Sequence, residues 1–330
     1  MPSSAAKLRR AALALAALVA LPGLAAAQAW NLYTYMSVPA NSAAQANMRL
    51  AEDMARFTED ALKIRVHLGG TLQINAANIG AAVADNVVQM GDDAFMSGVM
   101  PIADLVRLPM LVRNDEELKK ALGVMLPYIE RGYDKRGIVL LGTYVWPQQT
   151  FWSRKKTTSL PEVRGQKLRT PSPEIGEVIK RLGGVSITMG TAEVSTALER
   201  GVVDGTLSAS AGGAYIWKDM LKYNYQLPTG HINGHIIANK AEFRKLKPEV
   251  QAQLKARATQ ISENLSRQFL EDENERNKKM AADGMVFTVP SAAEFAEAET
   301  RIKPYWEEWA RSKGPEAVEA LAKVRAELGR

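Results

Sequence analysis

The chain has 330 residues, 46% hydrophobic and 24% charged, which is ordinary for a soluble globular protein, ample for a core, and long enough for about two domains. It contains no cysteine, which excludes disulfide staples and thiol chemistry. The net charge of +6 falls to near +3 once the three cations of the first 27 residues are set aside, too weak and too evenly spread for a nucleic-acid partner.

Residues 1–27 read as a secretory signal peptide. Lys7, Arg9 and Arg10 make a basic start, AALALAALVALPGL is an apolar run, and the alanines at 25–27 offer a cleavage site, so the mature chain starts near Gln28. The rival reading is a membrane anchor, but the run of 14 residues is short of the roughly 20 that a spanning helix needs. An exported, periplasmic protein is the expectation.

WNLYTYMSV then reads as a strand, and the segment from Pro39 to Ala61 as a helix with Met48, Leu50, Ala51, Met54 and Phe57 at helical spacing. LKIRVHL is a strand, NIGAAVADN a short helix, and VVQMGDDAFMSG a strand end opening into a glycine-containing loop. This alternation is the grammar of a parallel sheet covered on both faces. A helix over DEELKKALGVMLPYIERGYDKRG leads into IVLLGTYVWPQQTFWS, strand material broken at Trp146-Pro147. A second α/β unit over about 150–225 holds a strand from Gln166 to Thr170, a helix with Ser172 as N-cap and Pro173 in its first turn, the strand VSITMG, and a helix with Thr191 as cap candidate. HIIAN is strand-like, a helix of more than 30 residues starts at KPEV, and the tail is helical. At about 1.5 Å per residue such a helix outreaches one small domain and is expected to brace two.

Motifs for chemistry are few. His231 and His235 stand four apart, but Gly230 and Gly234 argue for loop and strand rather than a metal-binding helix face. No GxSxG elbow, P-loop or GxGxxG occurs. Asp92 and Asp93 are neighbours at a strand end and so point to opposite sides. Either Asp92 is solvated while Asp93 caps a turn, or Asp93 faces a ligand crevice, since loops at the carboxyl ends of parallel strands are where ligands bind. Tyr144, Trp146, Phe151 and Trp152 flank the polar break Pro147-Gln148-Gln149, as core or as an apolar cleft wall. Lys167 and Arg169 point the same way from one short strand, and Arg169 either waits for an anion or pairs with Glu174 or Glu193.

LPEVRGQKLRTPSPEIGEVIKRLGGVSITMGTAEVSTALERGVVDG, residues 160–205, resembles the signature stretch of the solute receptors of tripartite ATP-independent periplasmic (TRAP) transporters. Gly165, Lys167 and Arg169 match a GxKxR strand; Met189, Glu193, Ala197 and Leu198 match the following strand and helix; Gly201 to Gly205 match GVVDG. RLPMLVRNDEEL and ANKAEFRKLKPEVQAQL extend the resemblance over nearly all of residues 28–330.

The resemblance implies a two-domain α/β periplasmic binding protein fold with mixed sheets, crossing hinge strands and a long domain-bridging helix. It divides the chain into an N-terminal domain of 28–146 plus about 235–270 and a C-terminal domain of 147–234 plus about 271–330. It implies a non-enzymatic receptor that closes on a small organic carboxylate and hands it to membrane permease subunits, with no cofactor. Arg169 inherits the contact to the ligand carboxylate. Two positions depart: Gln149 stands where many acid-sugar binders carry a second arginine, and Ser208 where an asparagine is common. Looser alignment adds Tyr35, Asn75, Asp93 and Thr191 to the walls.

Two charged hydrogen bonds from one guanidinium contribute about 1.5–3 kcal/mol each, and micromolar binding needs roughly 8 kcal/mol. Burying about 150 Å² of apolar ligand adds roughly 4 kcal/mol. A monocarboxylate with an apolar body, such as an aromatic or branched 2-oxo or 2-hydroxy acid, is therefore expected, with Trp146 and Phe151 as wall. An exported α/β hydrolase acting on a small organic acid is the alternative.

Overall fold

The computed structural model describes residues 28–95 and 100–330; the expected leader at 1–27 and the end of the loop at 96–99 lie outside the described residues. β1 (Gln28–Thr34) pairs parallel with β2 (Leu62–His67) on one side and β3 (Met90–Asp93) on the other. α1 (Ser42–Phe57) connects the first two. The Asn41 side chain accepts from Ala43 N at its start, and Ala43, Asn47, Leu50, Ala51 and Met54 form its buried face at helical spacing. α2 (Ile79–Ala84) precedes β3. α3 (Asp115–Asp134) leads into β4 (Ile138–Ser153), then β5 (Lys167–Thr170), α4 (Pro173–Arg181), β6 (Val185–Thr188), α5 (Val194–Glu199) and β7 (Gly205–Ser208). Ser172 caps α4 ahead of Pro173, as the sequence suggests. β8 (Tyr223–Asn239), α6 (Lys240–Lys245), α7 (Pro248–Ala282), β9 (Val286–Thr288), α8 (Ala292–Lys313) and α9 (Pro315–Glu327) complete the chain.

The strands form one mixed sheet in the order β2-β1-β3-β8-β4-β7-β5-β6, with β9 beside the start of β8. β4 is a single 16-residue strand rather than two pieces, and the expected break appears as register shifts around Trp146, Gln149 and Phe151 against β8. β8 is likewise far longer than HIIAN alone. The two long strands run antiparallel through the middle.

Direction follows from pairing. β3 is antiparallel to β8 and so runs with β4, while β7 is antiparallel to β4 and has β5 and β6 parallel to it. The carboxyl ends of β1 and β3 therefore point towards the carboxyl ends of β5 and β7 across the β4–β8 crossing. Ligands of open α/β sheets bind outside those ends, and here both halves aim them at one place.

α7 has 35 residues, about 52 Å of helix, and lies along β4 from α1 to the turn after β7. Gly142 permits the approach, because a Cβ there would stand 2.6 Å from the Ala258 carbonyl oxygen. α9 packs on α3, where Tyr128 OH donates to Glu319, and α8 reaches both halves, with the Trp306 indole donating to Pro109 O and Arg181 paired to Glu308. The tail from about 271 therefore touches both halves of the chain. Among the described residues no helix is long and apolar enough to cross a membrane.

Candidate functional site

A narrow cavity lies where the strand ends meet, with room of about 40 Å³ for the centres of water-sized molecules. Arg169, the last but one residue of β5, is 3% exposed and lines it. Lys167, two residues earlier on the same strand, is exposed, so the shared direction does not give a shared depth. The Arg169 Nε donates to Met189 O (3.0 Å), and its guanidinium carbon stands 5.7 Å from the Trp217 ring centroid. Among the described residues no carboxylate is within salt-bridge distance of Arg169, and its terminal nitrogens make no hydrogen bond. Glu193 acts on it only at a distance, its carboxylate accepting from Gly190 N (2.9 Å). Burial pushes the guanidinium down to about 9, and Glu193 and Tyr35 act in the opposite direction, so it is a cation at neutral pH.

The sequence motif around Arg169 is a scaffold. Asp204 of GVVDG accepts from Lys167 N (2.9 Å), and the ammonium of Lys155 is 2.9 Å from the same carboxylate. This pins the start of β5 so that its far end holds Arg169 steady.

Tyr35, Trp146, Gln149, Thr191 and Ser208 also line the cavity. Tyr35 follows β1. Trp146 stacks on Phe269 of α7 (centroids 3.6 Å, 19°), and its indole N–H donates to Tyr35 OH (3.1 Å). The Gln149 amide nitrogen donates to Pro147 O (2.8 Å), a bond that turns its oxygen away from its own backbone. Ser208 Oγ accepts from Gly213 N (3.2 Å).

Three expected residues stand elsewhere. Phe151 is wholly buried against Tyr225, since the register shift between Gln149 and Phe151 re-aims it off the cavity side. Asn75 is exposed and caps a short 3-10 turn by accepting from Ala77 N (3.0 Å). Asp93 is buried behind the wall, accepting from Tyr133 OH (3.0 Å). Asp92 is not solvated either: it accepts from Thr34 Oγ1 (2.7 Å), Asn47 Nδ2 (2.9 Å) and Tyr144 OH (2.5 Å). Burial pushes both carboxyls up to about 6. His231 and His235 lie along β8 with their ring nitrogens on protein partners, His231 on Trp146 O and Gln148, His235 on Thr143 and Asn233. Among the described residues no group of three or more His, Cys, Asp or Glu is placed to hold a metal ion.

The main lining residue that sequence reasoning missed is Trp217. A π-helical turn at Ser210–Ala214 brings it back over the cavity, and Gly213 makes room, since a Cβ there would stand 2.3 Å from the indole. The adjacent glycines of SAGGAYIW were the available signal. Phe95, Met36 and Ile232 complete an apolar wall facing the guanidinium.

The model of the bacterial extracellular solute-binding protein, family 7 (DctP), matches residues 36–313. Among solved structures, a Bordetella pertussis extracytoplasmic solute receptor binding pyroglutamic acid superposes with a TM-score of 0.84 at 24% identity, over 91% of this chain and all of the other. A TRAP solute-binding protein from Rhodoferax ferrireducens in complex with copurified benzoate gives 0.82 at 16% identity, over 92% and 98%. One from Desulfovibrio salexigens with bound orotic acid gives 0.83 at 17%, over 92% and 99%. At these identities the structures speak for the fold alone. A Haemophilus influenzae relative of uncharacterised role is 24% identical over 75% of each chain. With the family model covering most of its length, the chain belongs to the bacterial extracellular solute-binding proteins of family 7 (DctP).

Proposed function

We propose that this receptor takes a small monocarboxylate with a compact, largely apolar body and delivers it to membrane permease subunits. The observation that carries the reading is Arg169: a buried guanidinium beside a hollow, its terminal N–H groups without a hydrogen-bond partner among the described residues and its carbon 5.7 Å from the Trp217 ring centroid. A carboxylate is the group whose geometry matches that fork. Gln149 in place of a second cation, and the wall of Trp146, Trp217, Phe95 and Ile232, favour one acid group and an apolar remainder. Proteins of the same fold bind benzoate, which is such a molecule, and pyroglutamate, a compact monocarboxylate with a polar lactam, although others bind uronates. The closing units are 28–146 with about 235–270 and 147–234 with about 271–330, α8 and α9 also touching the first half.

A thermal-shift and calorimetry panel tests it, with benzoate, pyroglutamate and branched 2-hydroxy acids against dicarboxylates and glucuronate. Stabilisation by the first group supports the reading; stabilisation only by diacids or sugar acids rejects it. Mass spectrometry of the ligand after incubation addresses the hydrolase alternative: unaltered ligand is the expected result.

A further inference from the structure

Behind the cavity wall lies a hydrogen-bonded chain whose direction can be read group by group. Its end is the Asp92 carboxylate, wholly buried and outside the cavity lining. Asn47 Nδ2 can only donate, at 2.9 Å. Thr34 Oγ1 accepts from Met36 N (3.2 Å), which leaves its proton for Asp92 at 2.7 Å. Tyr144 OH supplies the third donor, to the other carboxylate oxygen, at 2.5 Å. With the Tyr144 proton directed at Asp92, the contact between Tyr144 OH and Tyr35 OH at 3.3 Å has one polarity: Tyr35 donates. The indole N–H of Trp146 is a donor only, so at 3.1 Å Tyr35 oxygen accepts from it.

The Tyr35 proton therefore points away from the cavity: the phenol has no donor for the ligand, and any ligand hydrogen it accepts shares its oxygen with the Trp146 N–H. A ligand oxygen without a hydrogen, placed against this oxygen, meets repulsion and leaves the phenol unmatched. An O–H or N–H meets an acceptor.

We propose that Asp92 and Tyr144 are positioning residues that set Tyr35 as a hydrogen-bond acceptor, so that the cavity selects carboxylates bearing an O–H or N–H donor over their oxo counterparts. This rests on the monocarboxylate reading given above. It narrows the 2-oxo or 2-hydroxy choice to the donor-bearing member.

The test uses 2-hydroxy-3-methylbutanoate and 2-oxo-3-methylbutanoate, which differ at one oxygen. Calorimetry on the full mature protein is expected to show the hydroxy acid binding at least tenfold tighter. Tyr144→Phe removes an oxygen that does not line the cavity and frees the Tyr35 proton; the ratio is expected to fall to threefold or less, or to invert. Thr34→Val takes a different donor from the same carboxylate and is expected to keep the ratio within threefold of the wild type. Tyr35→Phe should also flatten it, which keeps the proposal testable if Tyr144→Phe folds poorly. A wild-type ratio at or below one, or Tyr144→Phe weakening both acids equally, overturns the proposal. A second readout needs no ligand: hydrogen exchange of the Trp146 indole N–H, assigned by its loss in Trp146→Phe. Exchange at least threefold faster in Tyr144→Phe but not in Thr34→Val supports the chain, and equal exchange overturns it. Failure of every monocarboxylate in the wild type, with that exchange pattern intact, sinks the monocarboxylate reading and not the hydrogen-bonded chain.

Discussion

Arg107 and Arg169 are both buried, at 0% and 3% exposure, yet their surroundings differ in kind. Arg107 faces Asp104 across 3.2 Å, donates from Nε to Asn233 Oδ1 (2.8 Å), and reaches the carbonyls of Ala94 and Asn233. It ties the loop after β3 to the middle of β8. Arg169 has one backbone carbonyl and one indole face, and it borders a hollow. A buried charge surrounded by matched partners holds structure together. One left with unmatched donors beside a cavity awaits a partner from outside, because an unmet buried charge is costly.

Four substitutions or series can break or sharpen that contrast. The largest effect is expected from Arg107→Met, which takes the cation from buried Asp104 and the donors from Asn233 and Ala94. Loss of about 3–5 kcal/mol is expected, a fall in Tm on the order of 10 °C for a chain this long. Arg169→Leu should do the opposite to the empty protein, leaving its Tm unchanged or higher, while weakening the best monocarboxylate at least 100-fold, about 2.7 kcal/mol. Equal melting losses in the two variants would erase the distinction. Gly213→Ala must displace Trp217, whose ring carbon would lie 2.3 Å from the new Cβ, and binding should weaken about tenfold, roughly 1.4 kcal/mol. Gly212→Ala meets only ordinary contacts, 3.5 Å from Ser208 Oγ and 3.7 Å from Trp146, so it should fold normally and shift preference towards smaller acids.

The smallest net effect is expected from pH, because buried groups near Arg107 oppose one another. His235 is pushed down to about 3 by burial and by Arg107, so the unfolded chain binds its proton first, and its contribution is lost as pH falls from 6.5 towards 3. Asp92 and Asp93, pushed up to about 6, bind protons in the folded state first and add stability as pH falls from 6 towards 4. Chemical denaturation of wild type and His235→Asn at several pH values isolates the first term: the wild type's advantage should shrink as pH drops below 6.5. A constant gap would show that His235 does not titrate on unfolding.

Much of the fold was legible because local signals agreed with the tertiary answer. The cap at Ser172, the period of α1 and the punctuation after each helix all act over a few residues. Arg169 was legible through its motif, and the structure adds why that motif exists: Asp204 fixes the strand that carries it. What stayed hidden depends on long-range pairing. Phe151 shares sequence parity with Gln149, but a bulge between them cancels the alternation. Nothing local in RLPML marks Arg107 as buried; its partner Asn233 lies 126 residues away. Trp217 reaches the cavity only through a π-helical turn, which has no periodic signature.

The irregular stretch of β4 opposite Gly230 has a mechanical consequence. The two halves share one unbroken sheet, and its ladder is already interrupted where they join. Were the two halves to swing apart, the sheet would crease along an existing fold line instead of tearing rungs from it. The main toll on departure of a bound acid would then be the wetting of Arg169 and its aromatic companions, and release would turn on how readily water enters the seam.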